Sequence, residues 1–354
     1  MPVQAVELRE AVELTLRTNP ELGIVVERRK ATGFEFEQAS GRFLPTIDLR
    51  TAYGEEFTND ATSLATILPR REVSLTLRQL LFDGSESKFE LALRGARRTS
   101  ASRRVLQTAG GLALDAIEAY LESLRNRGLV ALADDTVQAH QTTLAHVVEI
   151  ARGGAADVGD VNQAESRLAR AQDDFVRARN QLQDADTTYL AIVGETAKGL
   201  KRPDPPIEAL PGTVEEAVAL AVAANPAMKL AESEAAEAEA EYRKSKSNFW
   251  PRVNFELAGN SSHNAAGSRS SDTGLSALIV LNYNLYRGGA DIAGRQVAIA
   301  RLAAARQGLS RAVRIVEEQV RLAWSALQTG RDRVTALRSA VLANEVVRVS
   351  VSPR

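Results

Sequence analysis

The chain has 354 residues, 44% of them hydrophobic, 5% aromatic and 25% charged, with 44 Lys+Arg against 45 Asp+Glu. That balance excludes a basic nucleic-acid binder and a disordered acidic tail, and the lack of cysteine excludes disulfide scaffolds, thiolate zinc sites and cysteine nucleophiles. Three histidines argue against a His-built metal centre, and no apolar run reaches the ~18 residues of a membrane-spanning helix.

The opening residues, Met1-Pro2-Val3-Gln4-Ala5-Val6-Glu7, have neither a basic nor an apolar region of the kind an export signal needs, so as written the chain carries none. Residues 8–20, LREAVELTLRTNP, read as a helix broken at Asn19-Pro20, since Asn can cap and Pro is tolerated at the first helical position. The next helix runs to Phe43. Pro45 ends it, and the period changes to two. Ile47, Leu49, Thr51 and Tyr53 alternate with Asp48, Arg50 and Ala52, and Val73, Leu75, Leu77 and Leu81 alternate with Ser74, Thr76, Arg78 and Leu80. Strands are therefore expected at 45–57 and 70–82, with a polar loop between them.

After Leu81-Phe82-Asp83-Gly84 the chain returns to helix, and from 86 to 152 it has no proline. At 1.5 Å per residue such a helix is on the order of 100 Å long, with Gly110-Gly111 and Gly128 as candidate bends. The run Arg94, Arg97, Arg98, Arg103 and Arg104 reads as a solvated face. The partner helix, 160–193, carries a sustained heptad seam: Val161, Ala164, Leu168, Ala171, Phe175, Ala178, Leu182, Ala185, Tyr189 and Ile192. Between the two helices, Gly153 and Gly154 supply a C-cap and Asp160 an N-cap.

The first half then returns. Residues 214–226, VEEAVALAVAANP, repeat 8–20, and Asn225-Pro226 falls on Asn19-Pro20. Phe249-Trp250-Pro251 falls on Phe43-Leu44-Pro45 at the same offset. Leu285-Tyr286-Arg287-Gly288 matches Leu81-Phe82-Asp83-Gly84, and Trp324 matches Tyr120, at an offset shorter by a small deletion in the polar loop. Two copies are read: 1–200, with a helical hairpin at 86–194, and 213–354, joined by a Pro-rich linker at 201–212 that contains Lys201-Arg202-Pro203-Asp204-Pro205-Pro206. The second copy opens on a capping box, Thr213-Val-Glu-Glu216. Its strands are expected at 251–262, where Val253, Phe255 and Leu257 alternate with Arg252, Asn254 and Glu256, and at 273–286, where Ala277, Ile279, Leu281, Tyr283 and Leu285 share one side. Mapped onto the first copy, the second stops before its own hairpin tip and return helix.

Four strands of about ten residues with one apolar and one charged side suit either a sheet lying on helices or part of a membrane barrel. On the barrel reading Ile47, Leu49, Tyr53, Val73, Leu75, Leu77, Val253, Phe255, Leu257, Ile279, Leu281 and Tyr283 face lipid, while Asp48, Arg50, Arg78, Arg252 and Glu256 face a wet lumen. Burying those charges unpaired in a protein core would cost several kcal/mol. Tyr53, Phe57, Tyr283 and Tyr286 fit an interfacial aromatic girdle or ordinary strand packing. Four strands cannot close a barrel alone, so this reading demands an oligomer.

The duplicated Asn-Pro element, the paired F-[LW]-P strand entries, the LFDG and NLYRGG turns at 81–84 and 284–289, and the tip Gly154-Ala-Ala-Asp-Val-Gly-Asp160-Val-Asn-Gln-Ala164 together resemble the TolC family of bacterial outer-membrane channels, over nearly the whole chain. The resemblance implies a mainly α fold with a small β part: a trimer in which four strands per chain make a twelve-stranded barrel and the helices form an α-barrel across the periplasm. It implies no enzyme activity and no cofactor or metal. The partners implied are a periplasmic adaptor (membrane fusion) protein, an inner-membrane ABC or RND transporter, and outer-membrane lipid. Gly153, Gly154, Ala155, Asp157, Val158 and Asp160 would then form the adaptor-contact tip. Asn284–Gly289 looks most like members that serve type I protein secretion, with small-molecule efflux as the alternative. A soluble coiled-coil scaffold, favoured by the heptad seam and the missing export signal, is the competing class. No Ser/His/Asp arrangement, phosphate loop or dinucleotide fingerprint appears.

Overall fold

A computed structural model describes residues 7–59 and 65–351. All but Glu7 of the amino-terminal run read for an export signal, and residues 60–64 of the first inter-strand loop, lie outside the described residues. In chain order the elements are α1 (Leu8–Thr18), α2 (Pro20–Ser40), β1 (Thr46–Thr58), β2 (Thr66–Phe82), α3 (Glu86–Arg152), α4 (Val158–Val193), α5 (Val214–Ala224), α6 (Pro226–Ser245), β3 (Arg252–His263), β4 (Ser271–Asn282) and α7 (Ala290–Val351). The protein is thus mainly helical with one small antiparallel sheet, as the periodicities require.

The two Asn-Pro pairs each join two helices by the same chemistry. Asn19 closes α1 through its N–H on the Thr15 carbonyl (2.9 Å), and its Oδ1 accepts from the Glu21 N–H (2.9 Å). Asn225 repeats this, with its N–H on Ala221 (2.8 Å) and its Oδ1 accepting from Ala227 (2.8 Å). The box at Thr213 differs from expectation. Thr213 Oγ1 accepts from the Glu216 N–H at 3.2 Å, but Glu216 Oε2 takes the Gly212 N–H at 3.0 Å, one residue further out than a capping box predicts.

The chain packs as two compact units, Met1–Glu27 with Val105–Pro211 and Arg28–Arg104 with Gly212–Arg354, so the second copy stays whole while the first is divided. In the first unit the core is Ala11, Ala116, Ala119, Tyr120, Tyr189, Val193 and Ala197. The small residues let helices approach, and the two tyrosine rings fill the space with centroids 6.4 Å apart. The Tyr120 hydroxyl donates to the Lys201 carbonyl (2.6 Å) and accepts from the Lys201 N–H (2.9 Å), tying the Pro-rich linker to the helices. Every seam residue of α4 is buried or half-buried, with Ala164, Ala171, Ala178 and Tyr189 deepest. Tyr120 is fully buried, whereas its counterpart Trp324 is only half-buried, because no second hairpin helix packs on α7 among the described residues.

In the second unit α7 packs on α5 and α6. Of the arginine run of α3, Arg103 is exposed as expected, but the other four have partners. Arg97 pairs with Glu237 (3.0 Å) and Arg104 with Glu234 (2.5 Å) on α6, Arg94 with Glu35 on α2 (2.7 Å), and Arg98 lies over the Phe36 ring. The Glu-rich sequence of α6 is its complement. At the start of α3, Glu90 lies between Arg94 Nε (2.8 Å) and Lys244 Nζ (2.6 Å).

The sheet has the order β1-β2-β3-β4, all antiparallel, so β1 and β4 are its two edges. β2 begins at Thr66, before the expected 70. β4 runs from Ser271 and ends at Asn282, short of the expected 286. The difference follows from pairing. Residues 79–82 of β2 pair with β3 through Leu80 and Phe82, whereas β4 is bonded on one side only and pairs no further than Asn282 against Arg252, where β3 starts. Tyr283 therefore lies one residue beyond the strand assigned to it.

Candidate functional site

The register sorts the side chains. Opposed pairs on one face are Ile47–Leu77, Leu49–Leu75, Thr51–Val73 and Phe57–Ile67. The same face continues through Leu77–Leu257 and Gln79–Phe255 into Phe255–Ile279, Val253–Leu281 and Gly259–Leu275. All eleven strand residues assigned to the apolar face thus share it, and Tyr53, opposite Arg71, lies at its loop end. The twelfth, Tyr283, lies outside. Nothing among the described residues covers this face. Leu49, Tyr53, Ile279 and Leu275 are 68%, 78%, 72% and 80% exposed. Contiguous apolar surface of this kind is rare on water-soluble monomers and marks a face that meets protein or membrane.

The opposite face carries Asp48, Arg50, Arg78, Arg252 and Glu256, all five of the residues assigned to it. Arg78 Nε meets Glu256 Oε1 at 2.8 Å across the β2–β3 ladder. Arg252 pairs with Glu86 at the start of α3. Sequence reasoning missed a second cluster here, in which Arg70 bridges Glu56 (3.0 Å) and Glu72. All three lie inside the strands expected at 45–57 and 70–82, on the charged side of the alternation, but which of them meet depends on the register of β1 against β2. The face is not wholly polar, since Leu68 and Leu278 also lie on it.

At the helical end of this face the LFDG turn does three jobs. Phe82 packs edge-on against Trp250, with centroids 6.4 Å apart. Asp83 Oδ2 accepts from the Ser87 N–H (2.8 Å) and hydroxyl (2.6 Å), opening α3. Gly84 sits at φ +64, where a Cβ would come within 2.3 Å of Trp250 Cβ. The second copy has Arg287 in place of Asp83, and Arg287 instead reaches Asp291 at 3.1 Å.

The hairpin tip is built by local chemistry. Gly154 (φ +80) donates to Ala151 O (3.0 Å) and Ala155 donates to Ile150 O (3.1 Å), the paired bonds of a Schellman ending. The N-cap is Asp157, not Asp160. Asp157 Oδ1 accepts from the Asp160 N–H (2.9 Å), and Asp160 Oδ2 accepts from the Asp157 N–H (3.2 Å). The two carboxylates thus form one reciprocal box, and α4 starts two residues earlier than expected. Gly153, Gly154, Ala155, Asp157, Val158 and Asp160 are all exposed, Val158 at 77%. Beside the tip a cavity of about 230 Å³ is lined by His140, Val147, Ile150, Asp160 and Arg167 among others.

No group of His, Asp or Glu suited to a metal ion occurs among the described residues, and no helix there is long and apolar enough to cross a membrane. His263 Nδ1 lies 2.7 Å from Ser271 Oγ, within the β3–β4 hairpin.

Comparison with known proteins gives three findings. A family described as "Outer membrane efflux protein" matches residues 11–195. The outer membrane efflux protein BepC of Brucella suis biovar 1 (strain 1330) is 26% identical over 281 residues, which is 77% of this chain and 60% of that relative. Among solved structures, a membrane protein from Pseudomonas aeruginosa superposes with a TM-score of 0.84 at 19% identity, over 98% of this chain and 83% of that one. The outer membrane protein VceC from Vibrio cholerae gives 0.80 at 15% identity, over 96% and 83%. At these identities the structural likeness is one of fold.

Proposed function

The chain belongs to the outer membrane efflux protein family, and on that footing we propose that it forms the outer-membrane exit duct of a tripartite export system. Such a duct is a passive channel rather than an enzyme. The observation that carries the proposal is the four-stranded sheet with an exposed apolar face, an ion-paired opposite face and two unpaired edges. An apolar outer surface over a polar interior is what a membrane β-barrel requires. Free edges are a liability that ring closure removes. Four strands are too few to close a ring around side chains, so the reading takes three chains, each contributing β1–β4, with β1 of one protomer beside β4 of the next.

In this reading the apolar candidates contact lipid, and Asp48, Arg50, Arg78, Arg252 and Glu256 line the lumen. The long helices extend the duct into the periplasm. The exposed Gly153–Asp160 tip docks a periplasmic adaptor coupled to an inner-membrane ABC or RND transporter, which supplies the energy. Two cargo classes remain in play. The Asn284–Gly289 turn favours protein secretion. The similarity to BepC, itself an efflux protein, spans 77% of the chain and favours small molecules, and the longer match carries more weight. The chain spans 60% of the length of that relative.

The test is fractionation of the protein from cells. The proposal expects it in outer membranes, released by detergent as a trimer. Recovery as a monomer in buffer without detergent would support the coiled-coil scaffold instead. For the tip, Gly154→Glu with Val158→Glu should weaken cross-linking to the adaptor while trimers persist, and unchanged cross-linking removes the docking role.

A further inference from the structure

At the helical end of the sheet's charged face lies a cavity of about 900 Å³. Its wall brings together Arg42 from the turn after α2, Arg78 from β2, Arg252 from β3 and Arg287 from the turn before α7. Each guanidinium has a carboxylate partner: Arg42–Glu86 at 3.5 Å, Arg252–Glu86, Arg78–Glu256 at 2.8 Å and Arg287–Asp291 at 3.1 Å. Glu86 therefore serves two arginines.

The four pairs share an orientation. The arginine side chains are 47%, 52%, 51% and 50% exposed, against 23%, 23%, 26% and 17% for their partners. The offset also occurs outside this wall, as at Arg301–Glu241 with 63% and 31%, so what distinguishes the junction is that four such pairs converge on one cavity. Asp83, the other carboxylate of the wall, is 9% exposed and occupied by Ser87. Asn248, Asn254, Asn282 and Asn284 complete much of the lining without adding charge. The negative ends thus stand behind and the positive ends in front. A guanidinium has five N–H donors in a planar fork. One shared or single carboxylate leaves donors over, and these suit a second carboxylate or phosphate oxygen.

We infer that this junction is a guanidinium-fronted contact site for anionic groups, carboxylate or phosphate, on the solutes that pass it, and that it biases the duct toward anions. The inference rests on the duct reading, with the charged face turned to the lumen. Threefold assembly would repeat the set around the ring.

Channels purified from outer membranes and placed in planar lipid bilayers under a KCl gradient test it. Removing Arg78 and Arg252 as Arg78→Gln/Arg252→Gln should lower the chloride-to-potassium permeability ratio. A unit charge some 10 Å from the ion path in water changes the passage of each ion about twofold, in opposite directions for the two ions, so the ratio should change about fourfold for each charge. Block of the current by sodium tripolyphosphate should weaken at least as much. Arg78→Lys/Arg252→Lys, which keeps the charge, should hold the permeability ratio while weakening the tripolyphosphate block. If the glutamine variant does not assemble, Arg287→Gln, outside the strands, should shift both readouts in the same direction. Open channels with the same ratio and the same block in every variant would overturn the inference and leave the arginines as braces between strand and helix. No conductance from the unaltered protein would instead overturn the duct reading itself.

Discussion

Glu90 offers the sharpest test of how the helices of the second unit are held. The residue is 4% exposed. Its Oε1 accepts from Arg94 Nε at 2.8 Å, and Lys244 Nζ lies 2.6 Å from Oε2. Burial alone would raise the carboxyl pKa, but Lys244 and Arg94 outweigh it and bring the group from 4.5 down to about 2. A folded-state value below the unfolded one means a contribution present in full above the unfolded pKa and lost as pH falls toward about 2. At 1.36 kcal/mol per unit, the contribution at neutral pH is about 3 kcal/mol as an order of magnitude. Glu90→Gln should cost about that much at pH 7, since it leaves Lys244 and Arg94 facing a neutral amide. Denaturant unfolding of the detergent-solubilised protein, followed by helical circular dichroism at several pH values, measures it. The gap between variant and parent should narrow as pH falls, and Lys244→Met should recover part of the loss in the Glu90→Gln background. Equal stability at pH 7, or a gap that widens in acid, would refute the reasoning.

Other outcomes follow from single contacts. Gly84→Ala should destabilise by more than the ~1–2 kcal/mol of a left-handed backbone, because its Cβ would meet Trp250, whereas Gly288→Ala, at φ +61 with open space around it, should cost only the backbone part. Equal melting shifts for the two would count against the Trp250 contact. Asp157→Ala should cost about 1 kcal/mol and speed hydrogen exchange at the Asp160 amide, and an unchanged rate there would return the cap to Asp160. Leu75→Lys should reduce membrane assembly by about 2–4 kcal/mol if its face meets lipid, while Thr76→Lys, on the charged face, should be tolerated. Equal tolerance of the two would remove the distinction between faces.

Much of the fold was legible because its signals are periodic. The α4 seam from Val161 to Ile192 repeats every seven residues, and the structure turns all of it inward. The two-residue alternation in each strand put Asp48 and Arg50 opposite Ile47 and Leu49, and pairing of the four strands merged those separate assignments into two continuous faces. What stayed hidden depended on partners. Arg97 and Arg104 look like a solvated stripe until α6 brings Glu237 and Glu234 to them. Tyr283 continues an alternating pattern, but an edge strand ends where its one neighbour ends. Asp157 and Asp160 are both competent caps. The Schellman turn at Gly154 directs the chain so that the helix begins at Val158, which makes Asp157 the cap. Arg42 and Glu86 come from different elements, so their meeting beside Arg252 has no signature in local sequence.

The central claim is that β1 of one protomer closes against β4 of another. The chain has no cysteine, so introduced pairs report cleanly. Within one chain β1 and β4 are separated by two strands. At about 4.8 Å per strand, their facing residues are roughly 14 Å apart, too far for a disulfide, which needs Cα atoms within about 7 Å. Leu49→Cys should therefore be combined in turn with Cys at Ser276, Ala277, Leu278, Ile279, Val280 and Leu281, and oxidised in intact membranes. The account predicts that at least one register gives covalent dimers and trimers that collapse to monomer on reduction. Monomer alone at every register, from protein that is folded and abundant, would contradict it.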